Sequence, residues 1–512
     1  MADTTWGSFL EKGPWNLEEP VLWETSAESL RDAARKTAHD WISPRKLPPF
    51  RVVKVASTLG GAVLAWWIKG RKKPESRAVL SKKLVDAMES LGPAFVKLAQ
   101  IISAGEGVFP DEIVRECKRL RDAARAEEYE IIKNRVEKSF NKPIGELFKS
   151  FEKTPIAAAS IAQVHEAILP GGEKVVVKIR RSNIEKIVER DVKALAWLAP
   201  FLIGRLPYAA LANPPALVEL FAETIVEELD FRIEAGSMLQ VARALAAQDR
   251  RGVVVPRPHN EMVASDVLVQ EKVSGMVLSE VQKSSLEGKD VVQGLLACVL
   301  EGALIEGVFH GDLHAGNMFV LQDGRIALID FGITARLSKT EKLSFARLIT
   351  AGMSGDWRDQ LKALQGLGAI PHGSDLESLG KDLGLDRPVD VATLGAEEMA
   401  KELQRLSKAL LGSGAKLPKT LMLWAKNVVF IDAAIGELAP ECDVLGVLGE
   451  VATRFVMQHG VFLANELGRG VEVSDSAIRN SMGIDASVSS MTWNELQARR
   501  ALITSRAKKV LK

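Results

Sequence analysis

The sequence predicts an α+β fold of two lobes, a small strand-containing N-lobe and a helical C-lobe, with a helical extension before them. Residues 131–273 alternate short strand-like segments with helical ones, and residues after 286 show mainly helical periodicity. Helical periodicity also dominates the segment before residue 131. A chain of 512 residues is long enough for two lobes and their extensions.

Composition and charge narrow the class of protein. The net charge is +1 with 26% charged residues, so the overall charge gives no reason to predict a nucleic-acid partner. Cys117, Cys298 and Cys442 lie far apart without CxxC spacing, which is typical of a reducing compartment. The first residues lack the basic segment of a secretory signal. We therefore expect a cytoplasmic protein, or one on the cytoplasmic side of a membrane.

Residues 1–74 form the first predicted unit, an extension with a helix over residues 27–41 and a second helix that is a candidate for membrane contact. Six of the ten tryptophans lie within the first 67 residues. The apolar run 55–68 ends in two of them and precedes four basic residues within 69–73, a pattern typical of a membrane interface. The run is shorter than the ~20 residues that span a bilayer. The sequence is compatible both with a helix that lies at the membrane interface or inserts into it and with a helix packed on the protein.

Residues 75–130 form the second predicted unit, which is helical. An apolar stripe of helical period predicts one helix over residues 81–104. The charged, amphipathic segment 110–128 predicts another. These two helices complete the extension before the N-lobe.

Residues 131–273 form the predicted N-lobe. Apolar, β-branched runs predict strands over residues 174–179, 253–256 and 267–271. Helical periodicity predicts helices over 184–202 and 214–239. The stretch Glu271-Lys272-Val273 is the predicted link to the next lobe.

Residues 274–440 form the predicted C-lobe, and residues 441–512 a helical tail. The C-lobe is mainly helical apart from one hairpin, with strands over residues 318–321 and 325–329. Asp323-Gly324 provides the turn signal between those strands.

Two motifs that carry chemistry flank this hairpin. The first is His310-Gly-Asp312-Leu-His314-Ala-Gly-Asn317 and the second is Asp330-Phe-Gly. An Asp, an Asn five residues later and an Asp-Phe-Gly after the next strand form the core of protein-kinase-like phosphotransferases. On this spacing Asp312 is the candidate base or orienter, and Asn317 and Asp330 are the candidate Mg²⁺ ligands. The sequence therefore predicts a bilobal protein-kinase-like fold that binds Mg²⁺ and ATP (or ADP).

Lys178 is the candidate phosphate-binding lysine. It lies near the end of a Val-Val-Val-Lys strand, where kinases place the lysine that contacts the α- and β-phosphates. A lysine at a strand end is commonly only solvated, but the two downstream motifs favour a phosphate contact. We expect Glu271 and Val273 in the link to contact the nucleotide as well.

The glycine-rich loop that kinases place before this lysine is missing from the sequence. Its place is taken by Ala157-Ala158-Ala159-Ser160. Alanine has narrower backbone freedom than glycine, so this segment cannot approach phosphates as closely. It could be a helix start, because alanine is the best helix former. It could also be a stiff loop that supplies N–H groups and the Ser160 hydroxyl to a nucleotide.

Together these motifs resemble the UbiB/ADCK (aarF-domain) family of atypical kinases. The segment Ala157–Ser160 followed by Ile-Ala-Gln-Val-His-Glu-Ala resembles the Ala-rich loop of that family, and Lys97-Leu-Ala-Gln100 resembles its KxGQ motif. Glu228-Leu-Asp230 resembles its ExD motif, and His310–Asn317 resembles its catalytic loop. The resemblance extends over about residues 75–440.

The resemblance implies a kinase core with the KxGQ-bearing extension folded over the active site. Lys97 and Gln100 would then lie near the site. Ala99 stands where the family motif has glycine, which adds a methyl group where the extension approaches the core.

The resemblance also implies partners for the two lysines. Glu234 is expected to pair with Lys178, whereas Glu228 and Asp230 could engage Lys97. How the acids divide between the two lysines is left open. Acidic side chains crowded at one end of a helix repel one another, which is unfavourable unless cationic side chains pair with them.

The sequence thus predicts an ATP- and Mg²⁺-binding atypical kinase-like ATPase that acts at or near a membrane, as a peripheral or N-terminally anchored protein. A helical pattern from residue 338 leaves little room for a peptide-binding activation segment, which argues against an ordinary protein kinase. The resemblance implies a role in isoprenoid-quinone or other lipid metabolism. A membrane lipid, an isoprenoid quinone precursor and a lipid-biosynthesis enzyme complex are the candidate partners.

Two other functions fit the same residues. The first is a kinase that phosphorylates a small lipid-like molecule, with Asp312 as base. The second is a nucleotide-sensing scaffold with negligible catalysis.

Overall fold

The computed structural model has the predicted α+β architecture, a small antiparallel-sheet lobe and a helical lobe, preceded by helices. It describes residues 21–44, 46–69, 75–104, 111–120, 126–202, 214–247, 252–281, 288–354, 356–385, 418–468, 491–498 and 501. Residues 1–20 of the predicted extension, 386–417 of the predicted C-lobe, and 469–490, 499–500 and 502–512 of the predicted tail lie outside the described residues.

The helices of the described chain are α1 (Leu22–Thr25), α2 (Ala27–Ile42), α3 (Pro49–Lys69), α4 (Ser76–Leu91), α5 (Pro93–Ala104), α6 (Asp111–Lys118), α7 (Tyr129–Phe140), α8 (Ile144–Leu147), α9 (Ile184–Leu202), α10 (Pro214–Glu228), α11 (Phe231–Ala247), α12 (Leu278–Val281), α13 (Gly288–Glu301), α14 (Lys339–Ser354), α15 (Trp357–Gly366), α16 (Leu376–Asp382), α17 (Lys419–Leu438) and α18 (Val444–Leu467). A π-helical turn, Gly302–Glu306, follows α13, and a 3₁₀ turn, Ala315–Asn317, lies in the catalytic-loop motif.

The strands are β1 (Ser150–Phe151), β2 (Ala157–Ala158), β3 (Ala162–Ile168), β4 (Lys174–Arg180), β5 (Val253–Val254), β6 (Pro258–Val263), β7 (Val267–Glu271), β8 (Val308–His310), β9 (Met318–Val320), β10 (Ile326–Leu328) and β11 (Thr334–Arg336). The N-lobe sheet is antiparallel, in the order β1-β3-β4-β7-β6, with β2 also paired to β3. Lys178 on the central strand β4 lies opposite Val164 on β3 and Leu268 on β7. Its backbone is therefore held from both sides.

The predicted hairpin forms as β9 and β10, with Met318 opposite Leu328. The strand predicted over residues 253–256 belongs to this sheet rather than to the N-lobe sheet, because β5 pairs parallel to β10. Local sequence patterns do not specify a strand's partner, and Val253 and Val254 are fully or nearly fully buried in their new position.

The long helix predicted over residues 81–104 is two helices, α4 and α5. Gly92 separates them with φ of +107°, a backbone conformation that favours glycine, and Pro93 follows as the first residue of α5. The apolar period continued across the break, so periodicity alone did not reveal it.

The long helix predicted over residues 214–239 is also two helices, α10 and α11. Asp230 lies between them, and its Oδ1 accepts a hydrogen bond from the backbone N–H of Arg232 at 3.0 Å. This side-chain bond satisfies an amide in the first turn of α11. The helix predicted over 110–128 is shorter, because α6 ends at Lys118 and residues 126–128 are not helical.

One hydrophobic core joins the extension to both lobes. It includes Trp41 of α2, Phe95 of α5 and Phe231 of α11, and it continues to Phe331 and to Ile435 of α17. A second, smaller core lies within the N-lobe, where α7 packs on strands β4 and β7. The extension is therefore an integral part of the folded core.

The apolar run at residues 55–68 lies within the longer helix α3, which has 21 residues. Over the residues that the structure describes, α3 is the one helix long and apolar enough to cross a membrane. Its first half packs on the protein through buried Val52 and Val55. Its second half exposes Leu64 and Trp67, each more than half accessible to solvent.

Candidate active site

Lys178 lies at the centre of an ion cluster between the two lobes. Its Nζ donates hydrogen bonds to both Glu234 carboxylate oxygens, at 2.8 and 2.9 Å, and to Asp330 Oδ1 at 3.0 Å. Glu234 comes from the first turn of α11, and Asp330 follows strand β10. The structure thus brings together three residues that are 56 and 152 positions apart along the chain.

Burial and neighbouring charges have opposite effects on the pKa values of these three groups. Burial opposes protonation of Lys178, but the carboxylates of Asp330 and Glu234 outweigh it and raise the pKa of the lysine. The partial desolvation of Asp330 alone would raise its pKa, but Lys178 and Lys97 hold the pKa well below its usual range. Burial raises the pKa of Glu234 to about 7, although Lys178 acts against this change. The cluster therefore keeps a charged lysine beside an ionised Asp330.

Lys97 of the extension forms a second pair beside this cluster. Its Nζ lies 2.8 Å from Glu228 Oε1; Glu228 is buried and the Lys97 side chain is 13% exposed. Asp230 does not share this role, because it binds the Arg232 guanidinium through both carboxylate oxygens, at 2.9 and 2.6 Å. The prediction that Asp230 could engage Lys97 is therefore wrong, since its side chain serves the start of α11. Gln100 lies in α5 nearly one turn after Lys97.

The catalytic-loop motif is organised around His310 at the end of β8. The backbone N–H of Asp312 donates to His310 Nδ1 at 3.1 Å, so the ring proton is on Nε2, which donates to the Ile329 carbonyl at 3.0 Å. Burial lowers the pKa of His310 to about 4. A neutral imidazole thus connects the loop to the strand that leads to Asp330.

Asn317 lies at the other end of this loop. Its Nδ2 donates to the Asp312 carbonyl at 3.1 Å, and its own carbonyl accepts from the Ile329 N–H at 3.0 Å. These bonds place Asn317 beside the residue that precedes Asp330. Both candidate metal ligands therefore lie at the same end of the hairpin.

The two candidate ligands fit a magnesium ion. Because Nδ2 of Asn317 donates a hydrogen bond, its amide oxygen is the atom that would coordinate a metal, and the Asp330 side chain is 48% exposed. In the described part of the chain, no group of three or more His, Cys, Asp or Glu side chains forms a metal cage. Mg²⁺ in nucleotide enzymes uses one or two protein ligands together with phosphates and water.

The Ala-rich segment forms a tight hairpin, so the helix-start interpretation is wrong. Ala157 and Ala158 pair with Val164 and Gln163 of β3, and the Ala159 N–H donates to the Ala162 carbonyl at 2.8 Å. Strand pairing overrides the helix preference of alanine because β3 offers an open edge. Ser160, at the turn, is buried.

The predicted link between the lobes follows strand β7. Glu271 is buried, and its Oε2 accepts from the backbone N–H of Arg257 at 2.8 Å. Its side chain therefore supports the neighbouring strand. Val273 packs against the apolar cluster of the C-lobe hairpin.

Two polar residues in this site were not predicted. Lys426 of α17 forms an ion pair with Asp312 Oδ1, and Asn427 Nδ2 donates to the His310 carbonyl at 2.6 Å. Their one sequence signal is a Lys-Asn pair inside an otherwise apolar helical segment. Nothing in the spacing connects that pair to a loop 114 residues earlier.

The chain is similar in sequence to known proteins. The family model of the ABC1 atypical kinase-like domain matches residues 119–364. The uncharacterized protein Rv0647c of Mycobacterium tuberculosis is 33% identical over 446 residues, covering 84% of this chain and 89% of that protein. The probable protein kinase UbiB of Marinobacter nauticus is 31% identical over 292 residues, covering 56% of this chain and 53% of that protein.

A solved structure is also similar. The complex of Rv3197 with erythromycin, from Mycobacterium tuberculosis, is 25% identical in sequence and has a TM-score of 0.39. The match covers 67% of this chain and 90% of that chain.

Proposed function

The chain belongs to the UbiB/ADCK family of ABC1 atypical kinase-like proteins, and on that premise we propose that it binds ATP with Mg²⁺ and hydrolyses it at or near a membrane. The observation that carries the proposal is the contact of Lys178 with both Glu234 and Asp330. In kinases this arrangement positions the lysine for the nucleotide phosphates and the Asp for the metal. Its three members come from the N-lobe sheet, helix α11 and the C-lobe hairpin.

Each residue of the site has a proposed role. Lys178 binds the α- and β-phosphates, and Glu234 keeps its ammonium group in place. Asp330 and Asn317 would hold Mg²⁺, which supplies charge neutralisation at the β- and γ-phosphates when bound. Asp312 orients the oxygen that attacks the γ-phosphorus. In the absence of a nucleotide, Lys178 itself balances the charge of Asp330.

The short segment between Asp330 and α14 favours water or a small molecule, rather than a peptide, as the acceptor of the γ-phosphate. Strand β11 covers Thr334–Arg336, and α14 already begins at Lys339. Strand β11 pairs with β8, and its Arg336 donates to Ser237 Oγ of α11 at 2.6 Å. This segment is therefore committed to internal contacts, whereas peptide kinases use the corresponding segment to hold their substrate.

A membrane location is proposed from helix α3. The side chains of Leu64, Trp67 and Ile68 are each more than half exposed at the end of α3, beside Lys69. Apolar and aromatic groups next to a basic residue favour the lipid–water interface. The proposed link to isoprenoid-quinone or other lipid metabolism depends on membership of the UbiB/ADCK family.

Asp330→Asn tests the proposed nucleotide site. We expect Mg²⁺-dependent binding of a fluorescent ATP analogue and release of inorganic phosphate to fall by about 100-fold or more, since even outer partners of metal ligands are worth 10- to 100-fold. The matched control is Asp323→Asn, which changes an exposed Asp in the turn of the same hairpin. Full ATP turnover in Asp330→Asn, with Mg²⁺ still required, would overturn the assignment of this site.

ATP labelled in its γ-phosphate distinguishes hydrolysis from phosphoryl transfer to an acceptor. The proposal expects the label in free phosphate, with and without added isoprenoid alcohols. Label that appears on a hydrophobic alcohol would instead establish a small-molecule kinase that uses the same residues.

A further inference from the structure

Helix α17 carries two adjacent polar side chains into the protein interior. Lys426 has 12% of its side chain exposed, and Asn427 is completely buried. Their neighbours Met422, Leu423 and Ile431 are apolar core residues, as expected for a helix that packs on the C-lobe. A buried ammonium group is unfavourable unless a partner compensates for its lost hydration.

The partner of each polar side chain lies in the catalytic-loop segment. Lys426 Nζ pairs with Asp312 Oδ1, and Asn427 Nδ2 donates to the carbonyl of His310 at 2.6 Å. The other carboxylate oxygen of Asp312 lies 4.0 Å from His314 Nε2. Successive residues of one helix therefore hold the side chain of Asp312 and the backbone two residues before it.

Residues 310–317 contain neither lysine nor arginine. The cation closest to the Asp312 carboxylate in the described structure is therefore supplied by α17 rather than by the loop itself. Lys419, on the same helix, pairs with Glu227 at 3.3 Å instead. The contact of Lys426 with Asp312 is thus specific to one position of α17.

We propose that Lys426 is a positioning residue for Asp312, an inference that depends on the proposed function. In the reaction, the attacking oxygen forms a bond to the γ-phosphorus while the bond from phosphorus to the bridging oxygen of ADP breaks. Asp312 accepts the proton of the attacking oxygen. Lys426 holds the Asp312 carboxylate toward that oxygen, and Asn427 fixes the backbone of the loop. Lys426 itself forms no covalent bond and transfers no proton.

Steady-state kinetics of three single variants test this role. Because a misplacement of about 1 Å can cost ~100-fold in rate, we expect Lys426→Met to lower kcat by roughly 10- to 100-fold. KM for MgATP and the Kd of a fluorescent nucleotide should change by less than about threefold, since Lys426 does not contact the phosphates in this proposal. Lys426→Arg should restore kcat to within about tenfold of the original protein, because it retains the charge. Lys419→Met, the control on the same helix, should leave kcat unchanged.

A double-variant cycle with Asp312→Asn separates positioning from general support of the fold. If Lys426 acts through Asp312, Lys426→Met should have little further effect on kcat once Asp312 has been changed. An equal loss of kcat in both backgrounds, or an unchanged kcat in Lys426→Met, would overturn the inference. If Lys426→Met does not fold, Lys426→Gln replaces it, since it removes the charge that pairs with Asp312 but keeps a polar side chain at this position.

These outcomes also distinguish this inference from the proposed function. Turnover that requires Asp330 but not Lys426 would refute the role of Lys426 alone. The absence of both nucleotide binding and turnover in the unaltered protein would refute the proposed function, and the role of Lys426 with it.

Discussion

Asp330 shows how a single residue is adapted to the site. Its φ is +60°, the left-handed region that non-glycine residues seldom adopt. Such a conformation costs about 1–3 kcal/mol, so the surrounding contacts must maintain it. The Asp330 carboxylate accepts hydrogen bonds from Lys178 and from the Gly332 N–H, at 3.0 and 3.3 Å. A Cβ at Gly332 would lie 3.3 Å from Asp330 Oδ1 and 3.4 Å from Glu228 Cγ, so glycine keeps this space open.

At the same scale, the lowered pKa of His310 predicts that the folded protein loses stability as the pH falls. Its pKa is lowered to about 4 in the folded protein, so its contribution to stability is complete above pH 6.5 and is lost as the pH falls toward 4. A shift of this size corresponds to about 3 kcal/mol, at ~1.4 kcal/mol per pKa unit. Denaturant unfolding from pH 7 to 4 measures the loss. His310→Gln should have a flatter profile over this range, and a profile parallel to that of the original protein would contradict the prediction.

At the scale of elements, an ion pair reinforces the apolar contacts that attach helix α3 to the body of the protein. The Arg51 guanidinium pairs with Asp191 of α9 and also donates to the Leu91 carbonyl at 2.6 Å. The Asp191 side chain is only 1% exposed, and burial raises its pKa while Arg51 opposes the rise. Helix α3 therefore packs against α4 and α9, and near its other end the Trp66 indole N–H donates to Ser76 at the start of α4, at 2.9 Å.

Removal of one partner of this pair predicts a large loss of stability. We expect Arg51→Met to lower the free energy of unfolding by about 3–5 kcal/mol, because Asp191 would remain buried without its cation. The double variant Arg51→Met/Asp191→Asn should lose less than the sum of the two single variants, because it removes both charges. Chemical denaturation of the four proteins measures the coupling. Strict additivity would show that the pair does not act as a unit.

At the scale of the whole molecule, the extension, both lobes and α17 share one hydrophobic core. Interiors packed in this way transmit displacement from one element to another. Lys97 of α5 pairs with Glu228 in the acidic cluster, and Lys426 of α17 pairs with Asp312 in the catalytic loop. The candidate site is therefore assembled from segments that span most of the described chain.

The proposed membrane contact is a property of the whole molecule, because it depends on which face is presented to lipid. Changing Leu64, Trp67 and Ile68 to serine should abolish co-flotation with vesicles that contain anionic lipid. The matched control changes Met457 and Val461, two highly exposed apolar residues of α18, to serine and should leave flotation intact. Equal flotation of both variants and the original protein would refute a lipid contact through α3.

Motif spacing predicted the kinase-like fold more directly than periodicity predicted the boundaries of its helices. The offsets of Asp312, Asn317 and Asp330 carried the kinase-like prediction because phosphoryl transfer restricts where these groups can stand. The hairpin between them was predicted because Asp323-Gly324 is a strong local turn signal. Contacts between such local motifs are therefore the part of the site that the sequence reveals most directly.

What could not be predicted depends on tertiary partners. The partner of β5 is set by burial rather than by its own sequence. The break before Pro93, in contrast, has a local Gly-Pro signal, but the apolar periodicity continues through it. Asp230 could not be assigned to Arg232 rather than Lys97 from spacing alone. Lys426 was missed because its partner is distant along the chain, and a lone lysine in a helix carries no motif.

The attachment of α17 to the catalytic loop has a consequence for synthesis on the ribosome. Lys426 follows Asp312 by 114 residues, so at about 10 residues per second it emerges roughly 11 s later. Once Asp330 has also emerged, the nascent chain contains every residue of the kinase-like signature, yet Asp312 has no ammonium partner from α17. Premature termination before residue 418 would thus produce a polypeptide that carries the full set of diagnostic motifs but lacks the helix that orders its reactive carboxylate.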